Sequence, residues 1–316
     1  MREAYEKVRF GKANGELIKT QLLNGILGLT MLFQNISRGI ASWKRVREVL
    51  DSRPELEDGE HSGNTELRGQ VEFRDVSFAY PGGGQRVLKH INLTIRPGET
   101  VAVMGATGCG KSSLVNLIPR FYDVTDGAVL VDGVDVREYE QKDLRDKIAI
   151  ALQKSELFSQ RIRENISWGK PEASSGEIVC AAKAAQADSF IQSTPEGYET
   201  MVAERGMSLS GGQKQRVSIA RAVVKNAEIL ILDDSASALE LKTEADLYTA
   251  LKKISPDSTK IIIAQRIASV RHADRIVVLA DGGIETCGTH EELLETSKTY
   301  RDIYDSQLGE EDDYGK

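Results

Sequence analysis

The chain has 316 residues, of which 28% are charged and 40% hydrophobic, with a formal net charge of −7. That length holds one large domain or two with a buried core, and the acidic balance argues against general nucleic-acid binding through a basic face. Cys109, Cys180 and Cys287 are too widely spaced for a metal pattern or a disulfide framework, so a reducing cytosol is expected.

The charge is uneven: residues 1–53 carry a net +5, leaving −12 for the remainder. Met1 to Lys19 is charged and helix-prone, unlike a secretory signal. Thr20 to Ser37 then has no charge and is rich in Leu, Ile, Met and Phe. This is about the minimum length for a bilayer span, although Gln21, Asn24, Gln34 and Asn35 fit an amphipathic soluble helix equally well. Arg38, Lys44, Arg45 and Arg47 follow, the basic flank expected on a cytoplasmic side. The polar stretch 51–67, with Pro54, Gly59, Gly63 and Asn64, reads as a linker, and a new domain begins near Arg68.

Val71–Phe73, Val76–Tyr80 and Ile91–Ile95 alternate as half-buried strands, broken by Pro81-Gly82-Gly83-Gly84 and by Pro97-Gly98. Thr100–Met104 reads as a buried strand. It runs into Gly105-Ala106-Thr107-Gly108-Cys109-Gly110-Lys111-Ser112, which fits G-x-x-x-x-G-K-[ST]. Ser113–Ile118 follows as a helix. In this context backbone N–H groups wrap a nucleotide's phosphates, Lys111 reaches the terminal ones and Ser112 places its hydroxyl on Mg²⁺.

Beyond the loop, Ala128–Gly133 reads as a strand with an Asp-Gly turn, and Lys147–Leu152 as another ending at Gln153. Residues 160–206 look mostly helical, an inserted subdomain. Leu209-Ser210-Gly211-Gly212-Gln213 opens a further helix. Ser210 is its expected N-cap, and the two glycines leave bare amides at the helix end, either a second anion site or simply a capped start. Ile229–Leu232 followed by Asp233-Asp234 places carboxylates at the carboxyl end of a buried strand, and Asp233 is suited to hold Mg²⁺. Ile261–Gln265 and Arg275–Gly282 are two more strands. The tail, 309–316, is acidic and expected to be solvated.

These motifs in this order resemble the nucleotide-binding domain of the ATP-binding-cassette (ABC) superfamily, over about residues 69–308. The resemblance implies an α/β fold: a P-loop NTPase (RecA-like) core with an antiparallel β subdomain and an inserted helical subdomain, here spanning 68–308. It implies that Tyr80 stacks on adenine, that Gly105 to Ser113 holds ATP, and that Gln153 senses Mg²⁺ and the transmembrane domains. Leu209 to Gln213 matches the signature sequence, which contacts the nucleotide of the opposite domain and so accounts for two anion sites in one chain. Glu204-Arg205-Gly206 resembles a segment typical of exporters. Residues 1–50 then resemble a helical fragment of an exporter's transmembrane domain, truncated or internally deleted near Thr20-Gln21. The resemblance places the chain at a cell inner or plasma membrane, its ATP-binding domain on the cytoplasmic side.

Three positions depart from the family pattern. Asp234 stands where the general base is normally Glu. Gln265 stands where a His normally contacts the γ-phosphate, and a carboxamide carries neither proton nor charge. Glu240 replaces an Asp. Binding of ATP and Mg²⁺ is therefore expected to survive while turnover at this site falls. The resemblance extends to heterodimeric exporters with one degenerate and one competent site, moving a hydrophobic or amphipathic compound. A slow homodimeric exporter ATPase and a soluble ABC ATPase are the alternatives.

Overall fold

The computed structural model describes residues 2–313 apart from Arg53, Glu55, Asn64, Leu67 and Ser155. Parts of the polar stretch 51–67 and the last three residues of the acidic tail therefore lie outside the described residues. The chain forms two compact units, Met1–Glu55 and Leu56–Lys316.

The first unit is one helix, α1 (Arg2–Leu50), with no buried residue. The charged and uncharged halves read separately from the sequence are thus one continuous rod, crossing Gly11, Gly15, Gly25, Gly28 and Gly39. Among the described residues no helix is long and apolar enough to cross a membrane.

The second unit has two sheets. The four-stranded antiparallel sheet is ordered β2-β1-β4-β5, from β1 (Val71–Phe78), β2 (Leu88–Ile95), β4 (Asp126–Val131) and β5 (Val134–Asp135). The six-stranded sheet is ordered β10-β9-β3-β8-β7-β6, from β3 (Thr100–Gly105), β6 (Ile148–Ala151), β7 (Ile229–Asp233), β8 (Thr259–Ile263), β9 (Arg275–Ala280) and β10 (Gly283–Gly288). Five of its strands are parallel, and β10 closes the edge antiparallel to β9.

Alternation along the parallel strands explains the layers. Val101 and Val103 join Ile231, Ile263 and Val277 in a core shared with the antiparallel sheet. Ala102 and Met104 join Leu232, Ile262 and Val278 in a second core filled by helices. A sheet covered on both faces needs apolar residues at every position, which is why these strands read as unbroken runs. The helices are α2 (Lys111–Asn116), α3 (Gln141–Asp146), α4 (Ile162–Ser167), α5 (Ser175–Ala184), α6 (Asp188–Gln192), α7 (Gly211–Val224), α8 (Leu241–Ile254), α9 (Ile267–Val270), α10 (His290–Thr296) and α11 (Lys298–Asp313). Short helices α4 to α6 and two 3₁₀ turns make up the inserted subdomain.

The Asp-Gly pairs that close β4 and β9 make their turns with positive φ at each residue, +53° and +83° at Asp132-Gly133 and +49° and +82° at Asp281-Gly282. That matches the twist of a tight hairpin. Within the polar stretch 51–67, Gly59 N donates to Tyr139 O (3.0 Å) and His61 N to Glu138 O (2.8 Å). The three cysteines carry no disulfide, and only Cys109 is buried.

Candidate functional site

Strand order builds the site. Across the sheet run β3, β8, β7 and β6, all parallel. Their carboxyl ends therefore deliver, side by side, the loop from Gly105, then Gln265, then Asp233-Asp234, then Gln153. Neighbouring strands lie about 4.8 Å apart, so residues drawn from 160 positions of sequence converge at one edge, where open α/β sheets bind ligands.

The loop is built for close approach. Gly105 has φ +144° and packs so tightly beside β9 that a Cβ would collide with Leu279 O. Ala106, Thr107 and Gly108 are exposed, whereas Cys109, Gly110 and Lys111 are buried. Lys111 Nζ donates to Gly105 O (2.7 Å) and Ala106 O (2.9 Å), so its ammonium sits inside the curve of its own loop. Gly110 enters α2 with φ +103° and no side-chain cap, leaving the helix amides to the loop.

Ser112 Oγ donates to Asp233 Oδ1 at 3.0 Å. Hydroxyl and carboxylate thus meet as two hard oxygens at the head of α2, a pairing suited to one flank of a magnesium ion. Burial pushes the Asp233 carboxyl up, an effect reinforced by neighbouring Asp234 and opposed by Ser112 and Lys111. Tyr80 packs edge-on against Phe78 and Tyr122. Its hydroxyl lies 2.9 Å from Ser113 Oγ, which brings the aromatic residue against the phosphate-loop helix.

Asp234 has φ +48°, a left-handed conformation that Asp tolerates better than most residues. Its Oδ2 accepts from Gln153 Nε2 (3.1 Å) and from Gln265 Nε2 (3.3 Å). Burial pushes this carboxyl up as well; the Gln153 hydrogen bond and the charges of Lys111 and Arg266 pull it back. Gln153, expected beside the metal, is thus seen donating to Asp234.

Leu209 precedes the helix start, and Ser210 caps α7 as its spacing suggests: Gln213 N donates to Ser210 Oγ (3.3 Å) and Ser210 N to Gln213 Oε1 (2.9 Å). This reciprocal box satisfies two donors and leaves the amides of Gly211 and Gly212 at an accessible end. Glu240 caps the start of α8 without a side-chain hydrogen bond.

Sequence reading missed the residues that hold these loops. Gln215 is buried; it accepts from Ala238 N (3.0 Å) and donates to Ser237 Oγ (3.3 Å). Arg266 donates to Leu239 O and Ser237 O, both at 3.1 Å. The loop after Asp234 is therefore gripped from α7 on one side and from beside Gln265 on the other. Next to it lies a cavity of about 910 Å³ lined by Asp234, Gln265, Glu244 and Tyr304 among others. The one signal for Gln215 was its place two residues past Gln213 on the same helix; the grip of Arg266 spans 27 and 29 positions and left none.

Residues 88–237 match the model of the ABC transporter family. The chain is 46% identical over 288 residues to YgaD of Bacillus subtilis (strain 168), which bears the provisional name of a multidrug export ATP-binding/permease protein; the match covers 91% of this chain and 50% of YgaD. It is 44% identical over 284 residues to the ATP-dependent lipid A-core flippase of Syntrophus aciditrophicus (strain SB), covering 90% of this chain and 47% of the flippase. Among solved structures it is similar to a bacterial Atm1-family ABC exporter with ATP bound, at a TM-score of 0.82 and 36% identity, over 88% of this chain and 49% of that one. The chain spans about half the length of the relatives it matches. Fold, strand order and relatives agree: the unit from Leu56 onward is an ABC transporter nucleotide-binding domain.

Proposed function

We propose that this chain is the ATP-binding part of an ABC exporter whose own site holds Mg-ATP but cleaves it slowly, and whose Leu209 to Gln213 completes a competent site on a partner half-transporter. The observation that carries this reading is the pairing of Asp234 with two carboxamides. A general base must take a proton from the attacking water, and Gln265 accepts none to relay. With one methylene fewer than Glu, Asp234 falls about an ångström short, a displacement that costs up to about a hundredfold.

Binding is supported separately. The phosphate loop, Lys111 and the Ser112–Asp233 pair are intact; Ser112 and Asp233 would hold Mg²⁺, which would supply charge neutralisation on the phosphates. Residues 1–50 are read as part of a transmembrane domain that meets the bilayer, 51–67 as a linker, 68–308 as the ATP-binding domain and 309–316 as its tail. The names of the flippase and of YgaD favour a hydrophobic or amphipathic cargo, moved from the cytoplasmic side of the cell membrane.

The test is to measure Mg-ATP binding and phosphate release by the purified chain. The expected result is saturable binding with slow but measurable release, rising when a partner cassette with Glu and His at the two positions is added. Brisk release by the self-paired chain overturns the reading in favour of a working homodimer.

A further inference from the structure

Gln265 stands where the chain has just left the sheet. Ala264 N still reaches Val103 O at 3.4 Å, but the next polar groups are not held by a strand. They are held by a side chain 40 residues on. Gln307 Oε1 accepts from Ile267 N (2.8 Å), and Gln307 Nε2 donates to Gln265 O (2.8 Å). One primary amide thus closes both backbone groups flanking Arg266, as a paired strand would.

The arrangement is specific to that residue type. Arg266 offers α9 no side-chain cap, since its guanidinium is spent on Leu239 O and Ser237 O. Glu at 307 has no donor for Gln265 O, and Asn is one methylene short. Gln307 is in turn anchored, because α11 is pinned by fully buried Tyr300, with Ile303 and Tyr304 packed on the same core. With its carbonyl held by Gln307, the backbone of Gln265 is tied to α11, and its side-chain amide meets Asp234 Oδ2 at 3.3 Å.

We propose that Gln307 is a positioning residue for ATP hydrolysis: it aims residue 265 at the hydrolytic carboxylate, making the carboxyl-terminal helix part of the site. This rests on the reading that Gln265 lies at the hydrolytic centre.

The test is a kinetic cycle on the full chain with radiolabelled Mg-ATP. Gln307→Glu and Gln307→Ala are each measured with Gln265 intact and in a Gln265→Ala background. With Gln265 intact, both changes are expected to lower kcat about tenfold, well short of the cost of a full ångström of displacement, while KM for ATP holds. In the Gln265→Ala background they are expected to add nothing. Gln307→Glu keeps the acceptor for Ile267 N, so an unchanged Tm in that variant separates positioning from undocking of α11. An undiminished effect in the Gln265→Ala background, or no effect with Gln265 intact, overturns the proposal and leaves the site reading standing. If Gln265→Ala itself leaves kcat unchanged, the hydrolytic role of Gln265 falls, and this proposal with it.

Discussion

Gln265 Nε2 donates to Asp234 Oδ2 across 3.3 Å, joining the ends of two adjacent parallel strands, β8 and β7. The carboxylate at a position that serves as base in the family is thus engaged by a group that gives a hydrogen bond and takes none back. Gln153 adds a second donor to the same oxygen. On the proposed reading ATP binding and ATP cleavage are separable in this chain, and substitutions divide by which of the two they touch.

Asp234→Glu combined with Gln265→His is expected to raise phosphate release by about ten- to a hundredfold, the scale set by an ångström of base displacement and one proton-transfer group. The double variant should exceed either single one, since base and γ-phosphate contact act together. Steady-state phosphate release under saturating Mg-ATP decides this; an unchanged rate places the limit elsewhere.

Ser210→Ala removes the oxygen that accepts from Gln213 N. Loss of such a cap costs about 1 kcal/mol, visible as a lower urea midpoint. Nucleotide affinity at this chain's own loop should not move, whereas hydrolysis in a mixed assembly with a competent partner should fall. Measuring both on one preparation separates the capping role from the proposed contact with the partner's nucleotide.

Glu244 is buried in the first turn of α8, where Tyr248 OH donates to Oε1 (3.2 Å) and Arg266 stands 3.6 Å from Oε2. Burial pushes its carboxyl up despite neighbouring Ser269, Arg266 and Tyr248. The folded protein therefore holds this proton to higher pH than the unfolded chain does. The resulting stability is present below the ordinary glutamate range and is lost as pH rises through the elevated value. Glu244→Gln should accordingly raise Tm at neutral pH and give no gain in acid. A Tm difference independent of pH contradicts this.

Asp132 is fully buried at its side chain, where Lys147 Nζ donates at 2.9 Å and Gln70 N at 2.9 Å, and its φ is +53°. Asp132→Ala leaves the Lys147 ammonium with only Glu228 and the Thr65 hydroxyl, and places a residue without polar reach in a left-handed turn. The expected loss is about 3 kcal/mol, the lower end for breaking a buried pair. Asp132→Asn keeps an acceptor and tolerates the turn, so it should cost about half as much. Chemical denaturation of the two variants tests the ranking.

The parts of this fold visible in the sequence are those encoded locally. Unbroken apolar runs mark β3, β7, β8 and β9 because both faces of that sheet are covered, and the Ser210 box is spelled out within four residues. The strand β10 (Gly283–Gly288) follows a recognisable Asp-Gly turn, but its mostly half-buried, glycine-flanked residues carry no hydrophobic alternation. In α1, a change of composition near Thr20 suggested two segments where helix geometry simply continues. The polar residues Gly59 and His61 look like free linker, since their backbone partners at Tyr139 and Glu138 lie about 80 positions away. Gln215, Arg266 and Gln307 are hidden for the same reason. Each acts through individual hydrogen bonds to groups far along the chain, an arrangement that leaves no periodicity to read.

The ammonium of Lys111 is cradled by two carbonyls of its own turn, and the fold itself buries the residue. On the proposed reading, a phosphate entering the loop exchanges peptide oxygens for its own, so the cost of dehydrating a cation falls on folding rather than on capture. The protein comes to its fuel with that charge already seated.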